Sequence, residues 1–250
     1  MNLPALETNA VTHCTNRCAA CSHFAPVLPP SYLDPADLER DLKTLAKVLH
    51  VGLFKVLGGE PLLHPKLTQL LQVARASGIA DQVGILTNGS RLEQAPEILW
   101  SALDFVQVQV YPGKLTRAQQ AWMRDAGKHY GVSVELRPLG RFYKTLRREP
   151  RPVVETFSYF KECYNAHNCT AVERGYLYRC PQSIFIPPVV CKASNHAEGL
   201  KLDARLTETG VRDFLESEMP RQSCQWCSRD DEYFEWHETT KAKWLEESSV

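Results

Sequence analysis

Glu7-Thr8-Asn9-Ala10-Val11-Thr12-His13-Cys14-Thr15-Asn16-Arg17-Cys18-Ala19-Ala20-Cys21 is the stretch whose reading decides the fold. Its first half has the composition of a strand, and its second half places three thiols within eight residues directly after it. Soft thiolates at this spacing suit zinc or an iron–sulfur cluster. Three ligands are one short of the four that saturate a structural zinc or a four-iron cluster. The fourth position is therefore filled by a distant partner or left open for a ligand.

Outward from this stretch, strand-like and helix-like segments alternate. Strands are predicted over 7–13, 51–57, 82–87, 104–111 and 132–138, and helices over 34–49, 65–76, 93–102 and 116–129. Asp34-Pro35 and Thr116 read as helix starts, Gly78 and Gly131 as helix stops. Repeated strand–helix units predict an α/β fold with a parallel sheet, too short for a closed eight-stranded barrel. Val106, Val108 and Val110 share one strand face, while Gln107, Gln109 and Tyr111 share the other. In the next strand Glu135 and Arg137 share the polar face. That face either looks into a cavity or meets solvent on an open sheet. Arg147-Arg148-Glu149-Pro150-Arg151-Pro152 reads as a boundary, and a terminal helix is predicted over 230–247.

Lysine plus arginine (29) equals aspartate plus glutamate (29), so no global field recruits nucleic acid or an anionic membrane. The apolar runs are too short to span a bilayer, and the first residues lack a secretory pattern, so the expected location is cytoplasmic. The nine cysteines then read as metal ligands or catalytic groups rather than disulfides.

Leu57-Gly58-Gly59-Glu60-Pro61-Leu62 follows the second predicted strand, where its loop faces the cysteines. With the CX3CX2C spacing before it, this pairing resembles the radical S-adenosylmethionine (SAM) superfamily. The resemblance covers about the first 140 residues and implies a partial (β/α) TIM-like barrel, with a core over 1–150. It implies that Cys14, Cys18 and Cys21 hold a [4Fe–4S] cluster whose fourth iron binds SAM. Gly58 and Gly59 then let backbone approach the SAM ammonium, and Glu60 adds a charge-assisted contact. Thr87-Asn88-Gly89 matches a ribose-contacting loop of the family, or else is an ordinary Asn-Gly turn. Gln109, Glu135 and Arg137 are candidate contacts for SAM or substrate. The residue before the third cysteine, usually aromatic in the family, is Ala20, which leaves His23 or Phe24 to cover the adenine.

Downstream, Cys163, Cys169, Gly175 and Cys180, followed by Cys224-Gln-Trp-Cys227, resemble the twitch (truncated SPASM) extension of that superfamily. The resemblance implies a small C-terminal extension over 151–230 holding one auxiliary [4Fe–4S] cluster, ahead of the helical segment 231–250. Cys180, Cys224 and Cys227 are its expected ligands, with Cys163 or Cys169 as the fourth. Zinc is the alternative occupant, because ligand type alone does not separate the two.

What the resemblance implies chemically is SAM cleavage to a 5′-deoxyadenosyl radical and hydrogen abstraction from a small polar substrate. Sugar- and aminocyclitol-modifying members suggest oxidation, or epimerisation with Cys191 as the candidate hydrogen donor. Flavodoxin or ferredoxin is the implied electron donor. Two readings stand against this: a peptide-modifying maturase of the same superfamily, and a non-catalytic iron–sulfur or zinc protein.

Overall fold

The computed structural model describes residues 1–228 and 233–247. Four strand–helix units and a fifth strand come first: β1 (Asn2–Val11), α1 (Pro35–Leu45), β2 (His50–Gly58), α2 (Leu67–Ser77), β3 (Ala80–Thr87), α3 (Glu97–Trp100), β4 (Phe105–Val110), α4 (Arg117–Tyr130) and β5 (Ser133–Pro138). There follow β6 (Arg141–Tyr143), α5 (Val153–Lys161), α6 (Tyr164–Asn168), β7 (Ala171–Glu173), β8 (Tyr176–Tyr178), α7 (Gln182–Ile186), β9 (Leu200–Lys201), α8 (Glu208–Glu216), β10 (Tyr233–Glu235) and α9 (Lys241–Glu247). One sheet runs in the order β5-β4-β3-β2-β1-β7-β8-β9, and β10 pairs with β6 in a second. The first five strands and β7 are parallel, whereas β8 and β9 are antiparallel additions. This is an α/β fold with a mostly parallel sheet, an open, partial β/α barrel rather than a closed one.

Local chemistry explains the helix ends. Asp34 Oδ1 accepts from Ala36 N–H at 2.8 Å with Pro35 at the first helical position, which starts α1. Thr116 and Gln119 form a reciprocal capping box on α4. Gly78 and Gly131 end α2 and α4 in the left-handed conformation.

Leu38, Leu42 and Leu45 of α1 and Leu70, Leu71 and Ala74 of α2 pack against Leu6, Phe54, Val56, Ile85, Val106 and Val108 of the sheet. Each fully buried leucine or isoleucine stabilises the layer by about 2 kcal/mol. The valine face of β4 thus meets the helices, and its polar face is turned away from them.

The polar face divides in two. Gln109 and Tyr111 line a cavity. Glu135 and Arg137 do not; they form a 2.7 Å ion pair, joined by Gln107 at 3.4 Å, with Glu135 about half exposed. The physical reason is position: β5 is the outer strand of the sheet, so its polar side chains reach water.

The C-terminal helix is shorter than expected. Of 230–247, residues 230–232 lie outside the described residues, 233–235 form β10, and only 241–247 are helical. Phe234 and Trp236 alternate with Glu235 and His237, and β6 offers the segment an edge to pair with.

Candidate functional site

The first cysteine loop leaves the end of β1 and is fixed by the loop that follows β2. Gly59 N–H donates to the Val11 carbonyl and Glu60 N–H to the His13 carbonyl, both at 2.9 Å. The approach is so close that a Cβ on Gly59 would lie 1.9 Å from the His13 oxygen, and one on Gly58 2.4 Å from the Val11 oxygen. Gly58 also holds φ +132°, a region that favours glycine. These two glycines are therefore explained by backbone packing on the cysteine loop. They line the cavity as well.

Glu60 takes an unexpected place. It is fully buried and does not line the cavity. Its Oε1 accepts from the Thr87 hydroxyl at 2.5 Å and from Leu62 N–H at 3.1 Å, and its Oε2 accepts from Asn88 N–H at 2.8 Å. Burial raises its pKa, opposed by these hydrogen bonds. The carboxylate thus ties the loop after β2 to the loop after β3. Asn88 extends the tie: its Nδ2 donates to Thr15 Oγ1 at 2.8 Å and to the Cys14 sulfur at 3.5 Å. His64, beside the same loop, is structural: Nε2 meets the Leu33 carbonyl at 2.8 Å, and Nδ1 accepts from Lys66 N–H.

These ties shape a cavity of about 290 Å³, at the small end of ligand sites. Cys14, Cys18 and Cys21 share its wall with Gly58, Gly59, Thr87, Asn88, Gln109 and Tyr111. His23 lines it, whereas Phe24 turns into a separate core against Phe185 and Trp244. Of the two adenine-covering candidates, only His23 faces the cavity. The reach from Leu139 to Thr145 supplies the rest, including Arg141, Phe142 and Tyr143. Sequence reading missed this stretch because β6 is three residues long and too short to show a period.

The sulfurs are buried among hydrogen-bond donors. Cys14 accepts from Asn16 N–H at 3.4 Å, and backbone N–H groups of His23, Phe24 and Ala25 favour the anion of Cys21. Burial nevertheless dominates, pushing Cys14 and Cys18 up to about 12 and raising Cys21. Without a metal, these thiols hold their protons; binding one releases them. Among the described residues, no three His, Cys, Asp or Glu side chains converge on the position of a single ion. The thiols instead ring a common space, the arrangement in which each thiolate meets a different iron of a polynuclear cluster. The buried Asn16 Nδ2 and Trp236 Nε1 have no partner among the described residues. Donors waiting near sulfurs that become thiolates fit such a cluster.

A second, buried pocket is lined by Cys163, Cys180, Cys224 and Cys227, with Tyr159, Arg179 and Arg221. Cys169 does not line it; that side chain interacts with Asn165 and lies in the field of Glu7 and Lys55. Of the two candidates for a fourth thiol, Cys163 is the one brought together with the other three. Burial pushes Cys180 up to about 11 and Cys224 to about 12. Arg179, 2 % exposed, donates to backbone carbonyls of Ala166 and Ser217 and has no acidic partner among the described residues. Four thiolates around a metal would carry net negative charge, which this cation would offset. The hairpin β7–β8 turns at Gly175 (φ +87°), just ahead of Cys180. Cys191 ends a π-helical turn and lines neither pocket.

One strand-like segment lies between the two thiol sites. Thr145 lines the first cavity, its carbonyl accepts from Ser228 N–H at 3.0 Å, and Leu146 bridges to Cys227. No described helix is long and apolar enough to cross a membrane.

Comparison with known proteins agrees with this geometry. The model of the radical SAM superfamily matches residues 8–111. GTP 3′,8-cyclase of Microcystis aeruginosa (strain NIES-843 / IAM M-2473) is 29% identical over 103 residues, which cover 39% of this chain and 31% of that protein. GTP 3′,8-cyclase of Chlorobaculum tepidum (strain ATCC 49652 / DSM 12025 / NBRC 103806 / TLS) is 33% identical over 100 residues, covering 39% and 29%. The match thus spans about a third of the length of these curated relatives. Among solved structures, BtrN in complex with AdoMet and 2-DOIA superposes with a TM-score of 0.53 at 15% identity, over 86% of this chain and 82% of that one. Hexahistidine-tagged anSMEcpe with bound AdoMet gives 0.57 at 13% identity, over 99% and 96%. At such identities the likeness is one of fold. Residues 8–111 therefore form a radical SAM domain.

Proposed function

We propose that this protein is a radical SAM enzyme that takes hydrogen from a small, polar, hydroxyl-bearing molecule. A [4Fe–4S] cluster at Cys14, Cys18 and Cys21 is joined in this reading by an auxiliary cluster at Cys163, Cys180, Cys224 and Cys227. The observation that carries it is the wall shared by the Cys14, Cys18 and Cys21 thiols, the Gly58–Gly59 backbone and the Thr87–Asn88 loop. When bound there, the cluster and SAM supply a 5′-deoxyadenosyl radical.

The chain's own residues do the rest. Gly58, Gly59, Thr87 and Asn88 offer the polar wall against which SAM is held. Gln109, Tyr111, Tyr143 and Thr145 offer hydrogen bonds to a hydroxyl-bearing substrate. His23 has its pKa lowered to about 4 by burial, so its ring is neutral, and its Nε2 has no partner among the described residues. In this reading it accepts the substrate hydroxyl proton. Among the described residues, Arg141 is the one charged side chain lining the cavity, and no carboxylate lines it. That favours a neutral or anionic substrate over a cationic amine. No cysteine besides the three proposed ligands lines the cavity, which favours oxidation over an epimerisation that needs a thiol hydrogen donor. The electron donor in this account is a flavodoxin or ferredoxin.

The test is anaerobic: reconstitute the protein with iron and sulfide, add SAM and dithionite, and quantify 5′-deoxyadenosine. Formation by the wild type and its loss in Cys18→Ala are expected. A wild type that binds iron but leaves SAM intact contradicts the reading.

A further inference from the structure

The segment after β10 lies across the first cysteine loop. Ala19 N–H donates to the His237 carbonyl at 3.0 Å, Thr239 N–H to the Arg17 carbonyl at 2.8 Å, and Cys18 and Glu238 form an antiparallel bridge between them. Glu238 is anchored in turn by Lys114 Nζ at 2.7 Å and by Arg17 N–H at 3.2 Å. A segment more than two hundred residues away in sequence thus clamps the central cysteine of the motif.

The clamp sets Trp236 beside that cysteine. Its ring lies 5.2 Å from the ring of Tyr111, which shares the cavity wall with Cys18, and Lys114 sits 5.7 Å over its face. The indole Nε1–H is buried and has no acceptor among the described residues. Buried indole N–H groups ordinarily find one. Trp236 stands two residues from Glu238, the bridge partner of Cys18, and against Tyr111 on the same cavity wall, and its indole favours the anionic form of Cys18. A ligating thiolate is a stronger acceptor than a thiol.

We propose that Trp236 is a positioning residue that donates its Nε1–H to the Cys18 sulfur once that sulfur ligates iron, raising the reduction potential of the SAM-binding cluster. The inference rests on the reading of the first site given above. Hydrogen bonds to ligand sulfurs draw off electron density and favour the reduced cluster. One such bond changes the oxidised-to-reduced ratio at a fixed poise about fivefold.

The test is an EPR-monitored redox titration of the reconstituted full chain, following the cluster whose signal changes when SAM is added. Trp236→Phe keeps the ring and removes the N–H. Its expected result is unchanged iron content, a reduced-to-oxidised ratio about fivefold lower at the wild-type midpoint, and no movement of the second cluster. Phe234→Leu, two residues before it and without an indole N–H to lose, is expected to titrate as the wild type does. Superimposable curves for Trp236→Phe and wild type overturn the proposal, as does an equal shift in Phe234→Leu. Should Trp236→Phe fail to fold, the wild type grown with indole-15N tryptophan decides the matter. A 15N hyperfine coupling on the SAM-responsive cluster is expected, and its absence overturns the proposal. A wild type with no SAM-responsive signal overturns the functional reading itself, a distinct outcome.

Discussion

Gly59→Ala is expected to unfold the first cysteine loop and to cost about 4 kcal/mol of stability. The added Cβ would lie 1.9 Å from the His13 carbonyl oxygen and 2.4 Å from its carbon, both backbone atoms that no side-chain rotation moves aside. Relief requires the end of β2 to separate from the end of β1. That breaks the 2.9 Å bonds from Gly59 N–H to Val11 and from Glu60 N–H to His13. Those are the bonds that hold Cys14 beside the cavity. The check is urea denaturation of the metal-free protein with a parallel count of iron after reconstitution. A variant as stable and as iron-rich as the wild type contradicts this account of the glycines.

Glu60→Ala is the second large effect, and its cause is different. No clash arises; instead the Thr87 hydroxyl, Asn88 N–H and Leu62 N–H lose their acceptor in a buried site. Each orphaned donor costs about 1–3 kcal/mol, offset in part because a buried carboxylate is itself expensive. A net loss of about 3 kcal/mol is expected, together with a fall in SAM affinity of at least about tenfold as the Thr87–Asn88 loop loosens. Equilibrium dialysis with labelled SAM on the reconstituted protein reads the affinity. If Glu60 instead contributed only a charge at the ligand, affinity would fall while stability stayed unchanged or rose.

The parallel sheet was legible because its signals are local. Asp34-Pro35, the Thr116 capping box and the glycines at 78 and 131 mark helix ends within one turn, and the valine alternation of β4 marks a face. Cys14, Cys18 and Cys21 share one cavity wall, as their spacing and the Gly58-Gly59-Glu60 loop led one to expect. Residues joined across long sequence distances were not legible. Glu60 reads in sequence as part of a ligand loop, yet its partners lie 27 and 28 residues away and turn it inward. Spacing favoured Cys163 but left Cys169 open, and the packing of α5 and α6 brings Cys163 to the pocket. The strand Tyr233–Glu235 is too short to show a period, and Trp236 and Trp244 near it suit a helical stripe. Arg141, Phe142 and Tyr143 reach the cavity from a strand too short to announce itself.

Two thiol sites in one chain, one of three cysteines and one of four, are the centre of this account. Counting iron and zinc after anaerobic reconstitution tests it most directly. About eight irons per wild-type chain and no zinc are expected, with about four in Cys163→Ala and about eight in Cys169→Ala. Four irons with one zinc in the wild type, or a loss of iron in Cys169→Ala that Cys163→Ala does not show, would contradict it.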